Sequence, residues 1–313
     1  MKTYTYPLKN GITPTPEFAK KRLAEFAVNV GLRCGHDCKY CSSRATLRMH
    51  QAFKDLGEKP FSTGYSIVDP TMPEKVAADA KRLRKRGLVQ LCTTVDAWAP
   101  EAQEYDLGRR CLEAILGQPE WQVRILTKNA AVARDFDLIA KHRDRVTVGL
   151  SLTGTPDKES VIHVIEPHAS PISERLAALK EAHRLGLRTY GMLCPLLPGI
   201  ADDPKQIDWL VRYVARCGAE EVFSEAANPR GDSLTVTEDT LRQTGFVAEA
   251  DGVARIRRRA SWSPYATRLI ASLQSAMTRH MTTDQLRVLL YPTNLTPEDD
   301  ARIRKDDAGV VWL

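Results

Sequence analysis

The sequence predicts an α/β protein: a partial (β/α)6 barrel with a mainly helical C-terminal extension. Three observations carry this. From about residue 22 to 225 short β-branched runs alternate with helical patterns, the runs are continuous rather than strictly alternating, and the helices between them stop at glycine. Continuous apolar runs mark parallel strands covered by helices, and repeated strand–helix units imply right-handed crossovers between parallel neighbours. Six such units suit an open or partial barrel better than the eight of a closed one. In either case the chemistry belongs at the C-terminal ends of the strands.

The strand runs are, in order, AVNVGL (27–32), LVQLCTT (88–94), QVRILT (122–127), VTVGLSL (146–152), LRTYGML (187–193) and AEEVFS (219–224). Residues 51–72 are rich in turn formers and read as an excursion before the first periodic helix. That helix, PEKVAADAKRLRKRG, repeats Val76, Ala80 and Leu83 at i, i+4 and i+7 and stops at Gly87. ISERLAALKEAHRLG places Leu176, Leu179 and Leu185 on one side before Gly186, and QIDWLVRYVARCG places Ile207, Leu210, Val211 and Val214 on one face before Gly218. After about residue 235 the chain turns helical and basic, with RIRRR at 255–259, a helix over 264–281 and a Pro/Asp-rich tail ending in VVWL. The expected division is a barrel with its N-terminal lead-in over 1–235 and an extension over 236–313 packed on it.

A chain of 313 residues, 43% of them hydrophobic, can bury one substantial core or two modest ones. Charged residues at 27% with a mean hydropathy of −0.33 exclude a disordered or fibrous chain. No run approaches the ~18 apolar residues of a membrane span, and the first residues lack the apolar stretch of a secretory signal. The net charge of +6 is compatible with a nucleic-acid partner without demonstrating one. Seven cysteines, an odd number, argue against a disulfide framework. The expectation is a reducing, cytoplasmic setting with one three-thiolate site.

That site is GLRCGHDCKYCSS, which places Cys34, Cys38 and Cys41 in one short loop after the first strand run. Soft thiolates suit iron–sulfur units. With three protein ligands, one iron of a four-iron cube stays open to a substrate or cofactor. The alternatives are a zinc knuckle or unrelated buried thiols. Zinc wants a fourth Cys or His at recognisable spacing, and that of His36 suits no common zinc pattern.

The motif resembles that of the radical S-adenosylmethionine (SAM) superfamily, where a CxxxCxxC loop follows the first strand of a partial barrel, often with an aromatic such as Tyr40 before the last cysteine. The resemblance narrows to the spore photoproduct lyase-like group. CTTVDAWAPEAQEYDLGRRCLEAIL, RILTKNAAVARDFDLIA, VGLSLTGTPDKESVIHVIEPHASPISERLAALKEAHRLGL and MLCPLLPGIADD are similar to successive patterns of that group, covering roughly 27–203. Ala97-Trp98-Ala99-Pro100 departs from the group's Pro-Tyr-Gln-Pro, so the pocket near that loop is expected to accept something different.

The resemblance implies that Cys34, Cys38 and Cys41 ligate a 4Fe–4S cluster whose open iron takes the amino and carboxylate groups of SAM. One-electron reduction, from a donor such as flavodoxin or ferredoxin, then cleaves SAM to methionine and a 5′-deoxyadenosyl radical. It implies that Lys128, Ser151 and Thr94 reach SAM from three strand ends. A lysine can neutralise the cofactor carboxylate and hydroxyls can bond its polar groups. The ordinary alternatives are a solvated lysine and strand-end capping hydroxyls. Cys92 matches the group's hydrogen-atom donor, and equally fits a small buried core residue. Cys111, Cys194 and Cys217 read as core.

Other candidates are weaker. Asp96 and Glu101 either line the pocket or cap the next helix. Arg175 either meets a carboxylate or phosphate of the substrate or forms a salt bridge at a helix start, and Arg230 lies in a turn at the barrel mouth. If the substrate is a nucleic acid, Arg257 and Arg258 are the phosphate contacts and Trp262, with Tyr265, the stacking platform. Three readings of function follow. The first is a radical SAM enzyme acting on DNA, splitting a thymine lesion in a lyase-type repair reaction. The second is a radical SAM enzyme modifying another nucleotide, an RNA or a peptide. The third is a non-catalytic iron–sulfur or zinc protein that binds nucleic acid.

Overall fold

The computed structural model describes residues 1–229 and 231–313. Eight parallel strands among them form one sheet in chain order: β1 (Phe26–Val28), β2 (Leu88–Leu91), β3 (Gln122–Thr127), β4 (Val146–Ser151), β5 (Arg188–Leu196), β6 (Ala219–Ala226), β7 (Leu286–Leu290) and β8 (Val310–Trp312). A short antiparallel strand, Thr13–Pro14, borders β1, and β8 is the other edge, so the barrel stays open. The first six strands are those expected. The extension is mainly helical, as read, and it also returns β7 and β8 to the sheet.

The run AVNVGL does not form a single strand. It breaks at Asn29, whose side-chain oxygen accepts the backbone N–H groups of Thr93 and Thr94 at 2.8 and 2.9 Å. Gly31–Arg33 then pairs with Tyr65–Val68, which in turn pairs with Lys2–Thr5. The turn-rich excursion therefore contains a strand of a second, three-stranded sheet beside the loop that carries the three cysteines.

Helices α1 (Met72–Arg82), α2 (Leu107–Leu116), α3 (Ile172–Arg184) and α4 (Pro204–Arg216) cover the outer face. Their apolar stripes, Val76, Leu112, Leu179 and Leu210 among them, meet Leu91, Ile125, Val148 and Leu193 in one buried cluster. Because side chains alternate along a strand, the intervening residues point into the barrel. Tyr190, Met192, Phe223, Leu289 and Val311 form this second cluster, with Leu126 and Cys194 packed against it. Below them Arg124 ion-pairs with Glu221 at 3.1 Å, and its guanidinium lies 5.0 Å from the rings of both Tyr190 and Phe223. Arg287 reaches the same carboxylate at 2.9 Å. Paired and flanked by rings, these charges fill the lower interior, and the upper interior opens at the C-terminal strand ends.

After β6 come α5 (Ser233–Gln243), α6 (Val247–Arg255) and α7 (Arg259–His280). Helix α7 is tied to the barrel where Trp262 Nε1 donates to the Ala227 carbonyl at 2.7 Å and the Tyr265 hydroxyl to that of Leu196 at 2.8 Å. No helix of the described residues is long and apolar enough to cross a membrane.

Candidate functional site

The strand ends surround a cleft of about 620 Å³, within the usual size of small-molecule sites. Cys34, Cys38 and Cys41 line it as free thiols of intermediate exposure. Their loop is anchored at both ends. Glu101 Oε1 accepts from the Gly35 N–H at 2.9 Å, and the Lys39 N–H donates to Ile165 at 2.9 Å. Gly35 allows this approach because a Cβ there would lie 2.2 Å from Glu101 Oε2. Asp37, with φ at 53°, is held by Arg33 and by Lys39 at 2.7 Å.

Burial, then Glu101 and Asp96, push the Cys34 thiol well up, and burial also raises that of Cys38. Burial thus disfavours both thiolates, a cost that a bound metal would offset. Among the described residues no three His, Cys, Asp or Glu side chains converge as a single ion requires. Three separated thiols on one loop suit a cluster whose irons take one thiolate each. Burial lowers the His36 imidazole to about 4, and its Nδ1 lies 3.4 Å from Asp96 Oδ2.

The three residues expected to reach SAM line the same cleft. Lys128 Nζ donates to Ser151 Oγ at 2.6 Å and stands 3.6 Å from Glu166 Oε1, while Ser151 Oγ donates to the Cys194 carbonyl at 2.8 Å. Burial holds the Lys128 ammonium below its ordinary value. Thr94 is fixed through its backbone, its N–H bonded to Asn29 and its carbonyl accepting from Ser43 Oγ at 2.8 Å.

Asp96 lines the cleft rather than capping the next helix, and its oxygens are engaged there. It accepts from Trp98 N, Thr127 Oγ1 and Lys128 N, all at 2.8–2.9 Å, so it binds the loops after β2 and β3 together. Glu101 holds the cysteine loop, and burial raises its carboxyl to about 7. Cys92 is both a buried residue and part of the cleft lining. It is only 3% exposed, with its N–H bonded to Val28 and its backbone at φ 66°.

Several expectations are corrected. Arg175 is not available to a substrate. Its side chain is 1% exposed and bonded to Glu166, the Ser151 carbonyl and the Ser170 carbonyl, so it is the salt-bridging alternative that holds. Trp262 and Tyr265 are no stacking platform, since both are buried and hydrogen-bonded within the core. Arg257 is exposed and paired with Glu238 at 2.9 Å, and Arg258 is exposed at the start of α7. Neither lines the cleft. Arg230 lies outside the described residues. Cys111 and Cys217 are core, as read, whereas Cys194 lines the cleft. Sequence reading also missed Phe18, Lys21, Glu225 and Tyr291 in the lining. Their only signal was position, Phe18 within helix Pro16–Lys20 and Lys21, Glu225 and Tyr291 at or just past the ends of that helix, β6 and β7.

Comparison with known proteins agrees with this geometry. The family model described as the radical SAM superfamily matches residues 28–208. Uncharacterized protein ORF301 of Acidianus two-tailed virus is 26% identical over 224 residues, covering 69% of this chain and 71% of that one. Uncharacterized protein MJ0683 of Methanocaldococcus jannaschii is 26% identical over 182 residues, 57% of this chain and 63% of that one. Among solved structures, a point mutant of spore photoproduct lyase aligns over 88% of this chain and 78% of its own with 16% identity and a TM-score of 0.63. Spore photoproduct lyase complexed with dinucleoside spore photoproduct aligns over 77% and 66%, with 18% identity and a TM-score of 0.53. At such identities the likeness is one of fold, and the chain spans just under two thirds of that enzyme's length.

Proposed function

The chain belongs to the radical SAM superfamily, and on that premise we propose that it acts on a nucleic-acid lesion by a lyase reaction of the spore photoproduct type. It is an enzyme whose cofactors are a 4Fe–4S cluster and SAM. One observation carries the proposal: a single cleft gathers the three loop thiols, the Thr94, Lys128 and Ser151 wall, and Cys92. When bound there, cluster and SAM supply the 5′-deoxyadenosyl radical that takes hydrogen from the substrate.

The chain's own residues hold and finish that chemistry. Lys128, steadied by Ser151 and Glu166, would hold the cofactor carboxylate, and the Thr94 and Ser151 hydroxyls would bond its other polar groups. Cys92 supplies the closing hydrogen atom. Burial pushes its thiol well up, so it keeps the S–H form. As a C–H bond forms on the product radical, the Sγ–H bond breaks and the unpaired electron passes to sulfur.

The net charge of +6 supports a polyanionic substrate, as does the fold shared with a lyase solved with a dinucleoside lesion. We assign the exposed Arg257 and Arg258 to phosphates of a longer strand outside the cleft. The seven free cysteines suit a reducing, cytoplasmic setting with a flavodoxin or ferredoxin as electron donor. Anaerobic reconstitution tests the reading. SAM should be cleaved to 5′-deoxyadenosine, and deuterium from a labelled lesion-bearing dinucleotide should appear in it. SAM cleavage without label transfer from any nucleic-acid substrate would leave the superfamily chemistry and remove the lyase reading.

A further inference from the structure

The lead-in and the extension, which the chemistry above does not use, both reach the cleft. Lys21 follows helix Pro16–Lys20, Glu225 sits near the end of β6, and Tyr291 is one residue past β7. The parallel pairing of β6 and β7 sets Glu225 beside Leu289. Tyr291, two residues on, shares the interior face of Leu289. Lys21 Nζ lies 5.2 Å from the Phe18 ring centre and 5.7 Å from that of Tyr291. Burial alone would lower this ammonium, but the Glu225 carboxylate and a hydrogen bond with Tyr291 outweigh it and hold the ammonium raised, so it stays charged. Cys194 links this group to the cofactor wall. Its carbonyl accepts from Ser151, and its thiol, pushed up to about 12 by burial and by Glu225, also feels Lys128 and Lys21.

We infer that Lys21, Glu225 and Tyr291 form a subsite that grips the imide or lactam edge of a nucleobase, where a ring carbonyl adjoins a ring N–H. This rests on the nucleic-acid reading above and names the part of the substrate that enters the cleft. An ammonium and a phenol donate while a neighbouring carboxylate accepts, which complements a carbonyl beside an N–H. A phosphate in the same place would meet the Glu225 carboxylate and be repelled. The rings of Phe18 and Tyr291 give a base a face to lie against. The N-terminal and C-terminal segments of the chain thereby close the substrate side of an open barrel.

The test uses the anaerobically reconstituted holoenzyme with SAM and measures binding of a dithymidine dinucleotide and of its N3-methylated analogue, which lacks the imide N–H. The wild type should prefer the unmodified probe about tenfold or more, the worth of one hydrogen bond to a charged group. Glu225→Ala should erase most of that preference and Glu225→Gln should restore part of it. Tyr291→Phe should weaken the two probes alike, since it removes a donor to the carbonyl that both retain. Iron content and thermal melting report folding of each variant, and the wild-type comparison stands even if one fails to fold. Binding of the two probes with equal affinity overturns the subsite while leaving the nucleic-acid reading intact. Failure of both probes to bind while SAM is still cleaved overturns the subsite and the nucleic-acid reading together.

Discussion

Lys128 is the cation in the cleft that we propose bonds the cofactor carboxylate. Its side chain is half-buried, its bond to Ser151 is 2.6 Å, and its backbone N–H is fixed by Asp96 at 2.8 Å. Lys128→Met should therefore keep the cluster, which it does not ligate, and weaken SAM binding by about 1–3 kcal/mol, the usual worth of a hydrogen bond to a charged group. Anaerobic equilibrium dialysis against iron content checks this, and unchanged affinity removes Lys128 from the site. Cys92 is a different case. A non-glycine residue at φ 66° costs backbone energy that the surrounding packing must hold in place. Cys92→Ala should leave label transfer into 5′-deoxyadenosine intact while the product radical, denied its hydrogen, ends in side products separable by chromatography. The alternatives for Cys92 were undecidable in sequence because a residue at a strand end is both wall and rim. Trp262 misled for a related reason, since an aromatic beside a basic run reads alike whether it stacks on a ligand or, as here, donates to Ala227 inside the core.

At the scale of elements, six strands were legible because each is a short apolar or mixed run without strict alternation, separated from the next by a helix pattern. Strand β7 was not read, although LRVLL has the same composition, because the helical, basic stretch before it broke the strand–helix rhythm. The first strand was read too long, since its break depends on Asn29 bonding to a partner loop some sixty residues away, which no local pattern records. The lead-in is pinned in a similar long-range way by Asp69, which accepts from Leu8 N, Lys75 Nζ and Thr71 Oγ1, each at 2.7 Å. Burial raises this carboxyl, and those bonds more than offset it, leaving it below the ordinary 3.8. A depressed folded value means the stabilisation is present above pH 3.8 and is lost as pH falls through the lower folded value. Asp69→Asn should cost about 1–3 kcal/mol at pH 7 in urea melts, and its deficit should shrink as both proteins are acidified below that window. A deficit independent of pH would mean that the charge plays no part.

For the molecule as a whole, the division of labour between cleft and exterior sets the final expectation. The cleft takes a base through Lys21, Glu225 and Tyr291, where a carboxylate sits among the donors, so a dinucleotide with its single phosphate should bind with little salt dependence. On the nucleic-acid reading, a longer duplex should add phosphate contacts on the exterior of a chain with net charge +6. Each such contact releases condensed counterions and steepens the log–log dependence on salt by about 0.9. Arg257 and Arg258 are exposed and outside the cleft lining, so replacing both with alanine should lower the duplex slope by about 2. The same double variant should leave dinucleotide affinity and SAM cleavage as they are. Titrations across a range of potassium chloride decide the matter: a slope unmoved by the double variant places the phosphate track on another face, and a dinucleotide as salt-sensitive as the duplex means that the cleft reads phosphate rather than base.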